Sequence, residues 1–316
     1  MNSGEAKEEI LREARRLGFD GAGVAPGRLP DVEKERLGLW LTRGMHGTME
    51  WMARDAAART DPEMLLPGAR SVLMARMNYF TFPRPHPGGG RISIYALGRD
   101  YHKVFRGLFR NLKTTVERVL PGVRGRWFVD SAPVLEKAYA ERAGLGWRGK
   151  HTNLITEGRG SWFFLGGLLL DAELPPDGPP PDRCGSCTKC IDACPTGAIP
   201  EPYVVDGSRC ISYLTIEHRG AVPRDLEDRS GDWIFGCDIC QEVCPWNRDA
   251  RETEVADFRP RPALTGLTLE KAAALGPGDF HRVFEGTAVR RAGFERFHRS
   301  VERALRNRPP KENESW

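Results

Sequence analysis

Cys184-Gly185-Ser186-Cys187-Thr188-Lys189-Cys190-Ile191-Asp192-Ala193-Cys194-Pro195 is the stretch that decides how this 316-residue chain is organised. Its ending returns further on, where a lone Cys210 is followed by Cys237-x2-Cys240-x3-Cys244-Pro245. The chain has eight cysteines, and all of them fall between Cys184 and Cys244. That is a ligand set for two [4Fe–4S] clusters, in which the cysteine before each proline serves the opposite cluster. Cys184, Cys187, Cys190 and Cys244 are therefore expected on one cluster, and Cys194, Cys210, Cys237 and Cys240 on the other. Structural zinc also uses Cys-x2-Cys pairs, but it does not call for the doubled Cys-Pro ending. A disulfide framework suits small secreted chains, whereas this N-terminus reads Glu5-Ala6-Lys7-Glu8-Glu9, a charged helix start without an apolar signal core. Two adjacent clusters make a short electron wire, so the remaining chain should hold its terminus.

Just before the cysteines, Pro175-Pro176-Asp177-Gly178-Pro179-Pro180-Pro181 reads as a stiff extended linker. It divides the chain into residues 1–174, a cluster segment 175–250 and a C-terminal helical segment 251–316. In the first part, Ile10, Leu11, Ala14 and Leu17 share one helix face, and 70–77 reads as a strand. The Pro- and Gly-rich run 82–90 reads as a loop. A strong helix over 101–120 carries Val104, Phe105, Leu108, Leu112, Val116 and Val119 on its apolar stripe. A strand at 126–129 then leads into Asp130-Ser131-Ala132-Pro133, with Asp130 or Ser131 as the N-cap of a further helix. The apolar run 162–170 reads as a buried strand, and helices are expected at 268–275 and 288–305. Strands and helices mix without βαβ alternation, which predicts an α+β fold.

The formal net charge is only +4, but residues 281–308 carry eight arginines against three glutamates. This basic C-terminal face is a candidate for nucleic acid, the plainer alternative being a solvated helix face. The longest apolar run has nine residues, too few to cross a membrane. A soluble, cytoplasmic, monomeric protein is expected.

The common fingerprints of a redox terminus are missing. There is no Gly-x-Gly-x-x-Gly for a dinucleotide, no phosphate-binding Gly-x4-Gly-Lys loop, and no Asp-x-His-x-x-Gly of the kind that binds cobalamin. His102, in the first turn of a strong helix, reads as a structural or surface residue. Gly144, Gly146 and Gly149 imply close backbone approach to another element or a ligand. Read from the residues alone, Asp130 is most simply a helix N-cap.

Several longer segments carry more. Tyr95-Ala96-Leu97-Gly98-Arg99-Asp100-Tyr101-His102, Asp130-Ser131-Ala132-Pro133-Val134-Leu135-Glu136-Lys137 and Gly144-Leu145-Gly146-Trp147-Arg148-Gly149-Lys150 precede the cysteines in that order. Cys210-Ile211-Ser212-Tyr213-Leu214-Thr215-Ile216-Glu217 and Phe284-Glu285-Gly286-Thr287-Ala288-Val289-Arg290-Arg291 follow. Together they resemble the epoxyqueuosine reductases, which complete queuosine synthesis on tRNA. The resemblance implies a cobalamin-binding catalytic α+β domain joined to a ferredoxin-like domain with two [4Fe–4S] clusters, cobalamin lying between them. It implies Asp130 as proton donor, its pKa raised over the corrin. It implies cobalamin contacts at Arg54, Asp130, Lys150, His151, Thr152, Ser212, Cys237 and Asp238. It places Tyr213, Thr215 and Ile216 towards the tRNA, while the basic stretch adds Arg282, Arg290, Arg291, Arg296 and Arg299 as phosphate contacts. Phe294 and Phe297 are expected to pack inward. The chain ends without the longer helical-repeat tail of many family members, so the basic C-terminal helix is expected to carry more of the tRNA contact. An external low-potential donor would supply the electrons. Another corrinoid iron–sulfur reductase such as a reductive dehalogenase, or a plain ferredoxin-type carrier, are the alternatives.

Overall fold

A computed structural model of the chain describes residues 2–82 and 88–308. The part of the Pro- and Gly-rich loop at 83–87 lies outside the described residues. A four-stranded antiparallel sheet lies at the centre of the N-terminal part, in the order β1 (Gly21–Pro26), β2 (Ser71–Asn78), β4 (Phe163–Leu170), β3 (Gly125–Phe128). β2 pairs with β4 along its full length, from Ser71 opposite Leu170 to Asn78 opposite Phe163. An all-antiparallel sheet with helices between its strands is a mixed α+β arrangement, as the absence of βαβ alternation predicts.

The helix Tyr101–Val119 lies against this sheet and buries Phe105, Phe109, Leu112, Val116 and Val119. It fits because β4 carries Gly166 beneath it. A methyl group there would come within 2.6 Å of Phe109 and 2.8 Å of Phe105. The first helix, Ser3–Arg16, begins with Asn2 and Glu5 capping one another reciprocally. Phe280, Phe284, Phe297 and Val301 from the C-terminal helices are fully buried in the same apolar cluster as Phe105 and Phe109. Each such ring contributes about 2–3 kcal/mol by burial. The 288–305 helix expected from the sequence divides: a 3₁₀ turn, Ala288–Ala292, is followed at Gly293 by the helix Phe294–Arg306.

The proline-rich segment is extended and is fastened to the N-terminal part. Asp177 accepts from the Lys7 ammonium at 2.5 Å and from the Val24 backbone N–H at 2.7 Å. Its own N–H donates to Val24, and that of Gly178 to Arg142. Beyond it come short helices at Lys189–Asp192, Ile211–Ile216 and Ile239–Glu242, each containing or directly following a cysteine. A parallel pairing of Arg91–Ile92 with Trp233–Phe235 ties the cluster segment back, and the Arg91 guanidinium lies 4.0 Å from the Trp233 ring.

Candidate functional site

The thiols of the cysteine segment act on one another's charge. Burial, then the charges of Cys244 and Cys184, push the Cys190 thiol up to about 11, and burial with Cys184 and Cys187 raises Cys244. Burial, then Cys210 and Cys240, raise Cys237; Cys240 is raised by burial and Cys210. Burial and the neighbouring Cys194 raise Cys210. Cys244 thus neighbours Cys184 and Cys190, and Cys194 neighbours Cys210. Cys240 also feels Cys190 and Cys194, so the two expected sets adjoin. Crowded thiols of this kind lose their protons, and their mutual repulsion, when iron binds. The Ser212 and Tyr213 N–H groups point to the Cys210 sulfur, and Ala198 donates to Cys194 at 3.3 Å. Lys150 supports this segment too: its ammonium donates to the carbonyls of Gly185 at 2.6 Å and Cys187 at 3.0 Å.

Asp130 stands just past β3 with a φ of 52°. Left-handed backbone at a residue other than glycine costs about 1–2 kcal/mol, and such strain gathers at functional sites. The next helix begins only at Glu136, with Leu135 as N-cap and no side-chain cap. Neither Asp130 nor Ser131 caps it, and Pro133 lies ahead of it, which corrects the N-cap reading. The strained turn instead sends the carboxylate to other parts of the chain. Asp130 Oδ2 lies 3.1 Å from His102 Nε2 and 3.3 Å from Arg291 Nη1. His102 Nδ1 lies 2.7 Å from Asp100 Oδ1, and Asp100 also caps the helix Tyr101–Val119 by accepting from the His102 N–H. Arg291 Nη1 is 2.7 Å from His102 Nε2. The Asp130 backbone N–H donates to Glu136 Oε1 at 2.5 Å.

These contacts set the charges. Burial works to raise the Asp130 pKa, but the His102 hydrogen bond and the Arg291 charge outweigh it and hold the carboxyl below its ordinary value. The expected raised pKa is therefore reversed, because two cationic partners share its oxygen. Burial opposes a charged His102, but Asp100 and Asp130 prevail and raise it. Burial, then the Asp130 charge, push Glu136 up to about 8, so Glu136 is protonated at neutral pH. His102, read from the sequence as structural or surface, belongs to this site.

Lys137, next to Glu136 in the chain, brings the site near the cluster segment. Lys137 is exposed, yet the protein around it lowers its ammonium while the charges of Cys240 and Cys210 act on it. Lys137 donates to Asn153 Oδ1 at 2.9 Å. His151 is buried and its Nδ1 accepts from the Asn153 N–H at 3.1 Å, which leaves Nε2 carrying the hydrogen. That Nε2 has no partner among the described residues. Burial, then Lys137, lower the ring to about 4, so it stays neutral. Thr152 turns with φ 64°, a strained value for a β-branched residue. An orphaned buried donor, a strained turn and Lys137 are linked through Asn153 and lie near the Cys210 and Cys240 sulfurs. The partnerless His151 Nε2–H fits a hydrogen-bond acceptor on a bound cofactor.

Other expected contacts fall elsewhere. Arg54 is exposed and paired with Asp55 at 3.0 Å. Arg59, unremarked in the sequence, is buried 4.9 Å from the Trp51 ring, where Asp130 and Glu136 act on its charge. Asp238 turns inward onto Ser93 and the Ile94 N–H, and burial raises it to about 6. Tyr213 and Thr215 are buried rather than offered to RNA: the Tyr213 hydroxyl meets Thr48, and Thr215 accepts from the Gly236 N–H. Ile216 packs half-buried against the core. Arg299 donates to the Leu214, His218 and Gly220 carbonyls and Arg296 to those of Arg291 and Ala292, so neither is a ready phosphate contact. Arg282 is exposed and paired with Asp279, and Arg290 is exposed. Phe297 is buried and Phe294 half-buried, as expected. Gly146 is required by the chain itself, since an added methyl group would come within 2.2 Å of the Ile155 carbonyl oxygen, and Gly149 packs against the Ile155 side chain.

Comparison with known proteins places this geometry. The 4Fe-4S double cluster binding domain family matches residues 183–247, and the family described as Epoxyqueuosine reductase QueG, DUF1730 matches residues 59–131. An epoxyqueuosine reductase of Cellulophaga algicola is 42% identical over 96% of this chain and 99% of its own length. That of Escherichia coli K12 is 44% identical over 98% of this chain and 83% of its own. A crystal structure of epoxyqueuosine reductase with a tRNA-Tyr epoxyqueuosine-modified tRNA stem loop superposes with a TM-score of 0.90 at 31% identity, covering 97% of this chain and 82% of that one. A structure of the Bacillus subtilis enzyme, with its catalytic loop swung out of the active site, gives a TM-score of 0.89 at 30% identity over the same shares.

Proposed function

The chain belongs to the epoxyqueuosine reductase family, and we propose that it reduces epoxyqueuosine to queuosine at the wobble position of tRNA with electrons passed through two [4Fe–4S] clusters to cobalamin. The observation that carries this reading is a partnered Asp130 tied to Glu136, next to Lys137, whose charge feels the Cys210 and Cys240 sulfurs. The reaction takes two electrons and two protons, breaks both epoxide carbon–oxygen bonds, forms the alkene and releases water. Cobalamin, when bound, supplies the redox centre that brings electrons to the carbon–oxygen bond. The His151 Nε2–H, Lys137 and the backbone around Thr152 and Ser212 would hold it. Asp130, whose resting carboxylate His102 and Arg291 favour, takes up a proton before it gives one to the departing oxygen. Glu136, itself neutral, fixes the Asp130 backbone.

The domains are assigned as 1–174 for catalysis, 175–250 for the ferredoxin-like clusters and 251–316 for the helical closure. No helix among the described residues is long and apolar enough to cross a membrane. RNA contact falls to Arg282, Arg290 and surface near Arg291. A plain electron carrier would leave the Asp130 network without a task. Mass spectrometry of nucleosides tests the assignment: tRNA bearing epoxyqueuosine, incubated with cluster- and cobalamin-loaded protein and a strong reductant, should lose about 16 mass units from the modified base, one oxygen. Unchanged nucleoside with both cofactors loaded overturns it.

A further inference from the structure

Removing an epoxide oxygen as water needs two protons at the same oxygen, and a carboxylic acid brings one. We infer that His102 supplies the second by reprotonating Asp130 between the two transfers, as a positioning and relay residue that acts through Asp130. This inference rests on the proposed epoxide reduction.

The geometry selects His102 among the neighbours. Its Nε2 faces Asp130 Oδ2 directly at 3.1 Å, a side-chain contact along which a proton can move. Glu136 also bears a proton but meets Asp130 through the backbone N–H, which relays none. Arg291 touches the same oxygen but does not deprotonate. Asp100 holds the far ring nitrogen, so the ring keeps a hydrogen on Nδ1 and gives and takes its mobile proton at Nε2. Arg291 at 2.7 Å from Nε2 opposes a permanently charged ring, which keeps that proton transferable. The groups facing His102 are thus Asp100 and Tyr101 on its own helix, Asp130 with Glu136 behind it, and Arg291 from the C-terminal part. Each turnover then runs as follows. Asp130 protonates the oxygen as the first carbon–oxygen bond breaks. His102 passes a proton to the Asp130 carboxylate, and Asp130 protonates the oxygen again as it leaves as water. Solvent then returns two protons, one to His102 and one, through it, to Asp130. The two electrons come through the clusters from an external low-potential donor.

The test uses the cofactor-loaded enzyme on an epoxyqueuosine-bearing stem loop. His102→Gln should lower kcat about 10²-fold with KM unchanged and abolish the alkaline fall of the wild-type pH profile. Imidazole should restore His102→Ala in part. Asp100→Asn keeps the helix cap, because asparagine caps as well as aspartate. It should move the alkaline fall to lower pH. Independently of turnover, NMR of ¹³C-labelled histidine should show one signal, absent from His102→Gln, titrating above the ordinary histidine range and moving to lower pH in Asp130→Asn. Wild-type kcat and an unmoved alkaline limb in His102→Gln, or an unmoved limb in Asp100→Asn, overturn the relay. A wild-type enzyme that yields no queuosine overturns the proposed reaction itself.

Discussion

The cluster wall and the acid wall of the site are built on opposite electrostatic plans. On the cluster wall, thiols crowd against one another, and burial pushes those of Cys190, Cys237, Cys240 and Cys244 upward. On the acid wall, Asp100, His102, Asp130 and Arg291 alternate in sign, and each has an opposite partner within 3.3 Å. The first wall is incomplete without iron, whereas the second is balanced before anything binds. A cofactor-dependent wall should fail as a unit, and a self-balanced one should fail residue by residue.

The largest effect expected follows from that contrast. Cys240→Ala should abolish conversion, reduce the visible cluster absorption and expose 183–247 to proteolysis, because metal binding and local folding are coupled. Retained absorption and rate would break the comparison at its cluster end. Asp130→Asn should cut the rate by about 10²–10⁴-fold while leaving the cluster spectrum unchanged, since the acid wall does not hold iron. A spectrum lost along with the rate would mean that the walls are not independent. The smallest effect concerns Glu136. Its folded pKa is raised to about 8, so the folded state holds a proton that the unfolded state releases above about 4.5. Stability should therefore fall as pH rises from about 4.5 to 8. Glu136→Gln should be more stable than the parent by roughly 1–2 kcal/mol at pH 8, discounted for partial exposure, and equal to it below pH 4. Thermal melts at the two pH values decide.

The cluster wall was legible because iron ligation is written in local spacing: the cysteine steps hold whatever surrounds them. The long helix 101–119 and the strands were legible through periodicity, since burial of Phe105, Leu112 and Val116 demands it. The acid wall was only partly legible. Asp130 could be carried over from a resemblance, but its partners come from positions 102 and 291, and Arg59 approaches from elsewhere again. No spacing rule links them; only the packing of the sheet, the helix and the C-terminal turn does. Charge misled for the same reason. The arginines of the last helix read as an RNA-facing surface, but Arg299 and Arg303 donate to backbone carbonyls, and Arg303 is buried. The resemblance sends Thr215 outward with its neighbours, yet its hydroxyl fills a backbone hydrogen-bonding position inside.

The Asp177 clasp has a consequence for the timing of electron flow. A proline-rich run with free ends would let the iron-bearing and acid-bearing halves drift, and tunnelling rates fall exponentially with distance. Here Lys7 and Val24 grip one carboxylate, and Arg142 holds the next residue. The gap between donor and acceptor is set at the hinge rather than by chance encounter. A clasped linker makes the protein a conductor of constant length for the electrons it receives.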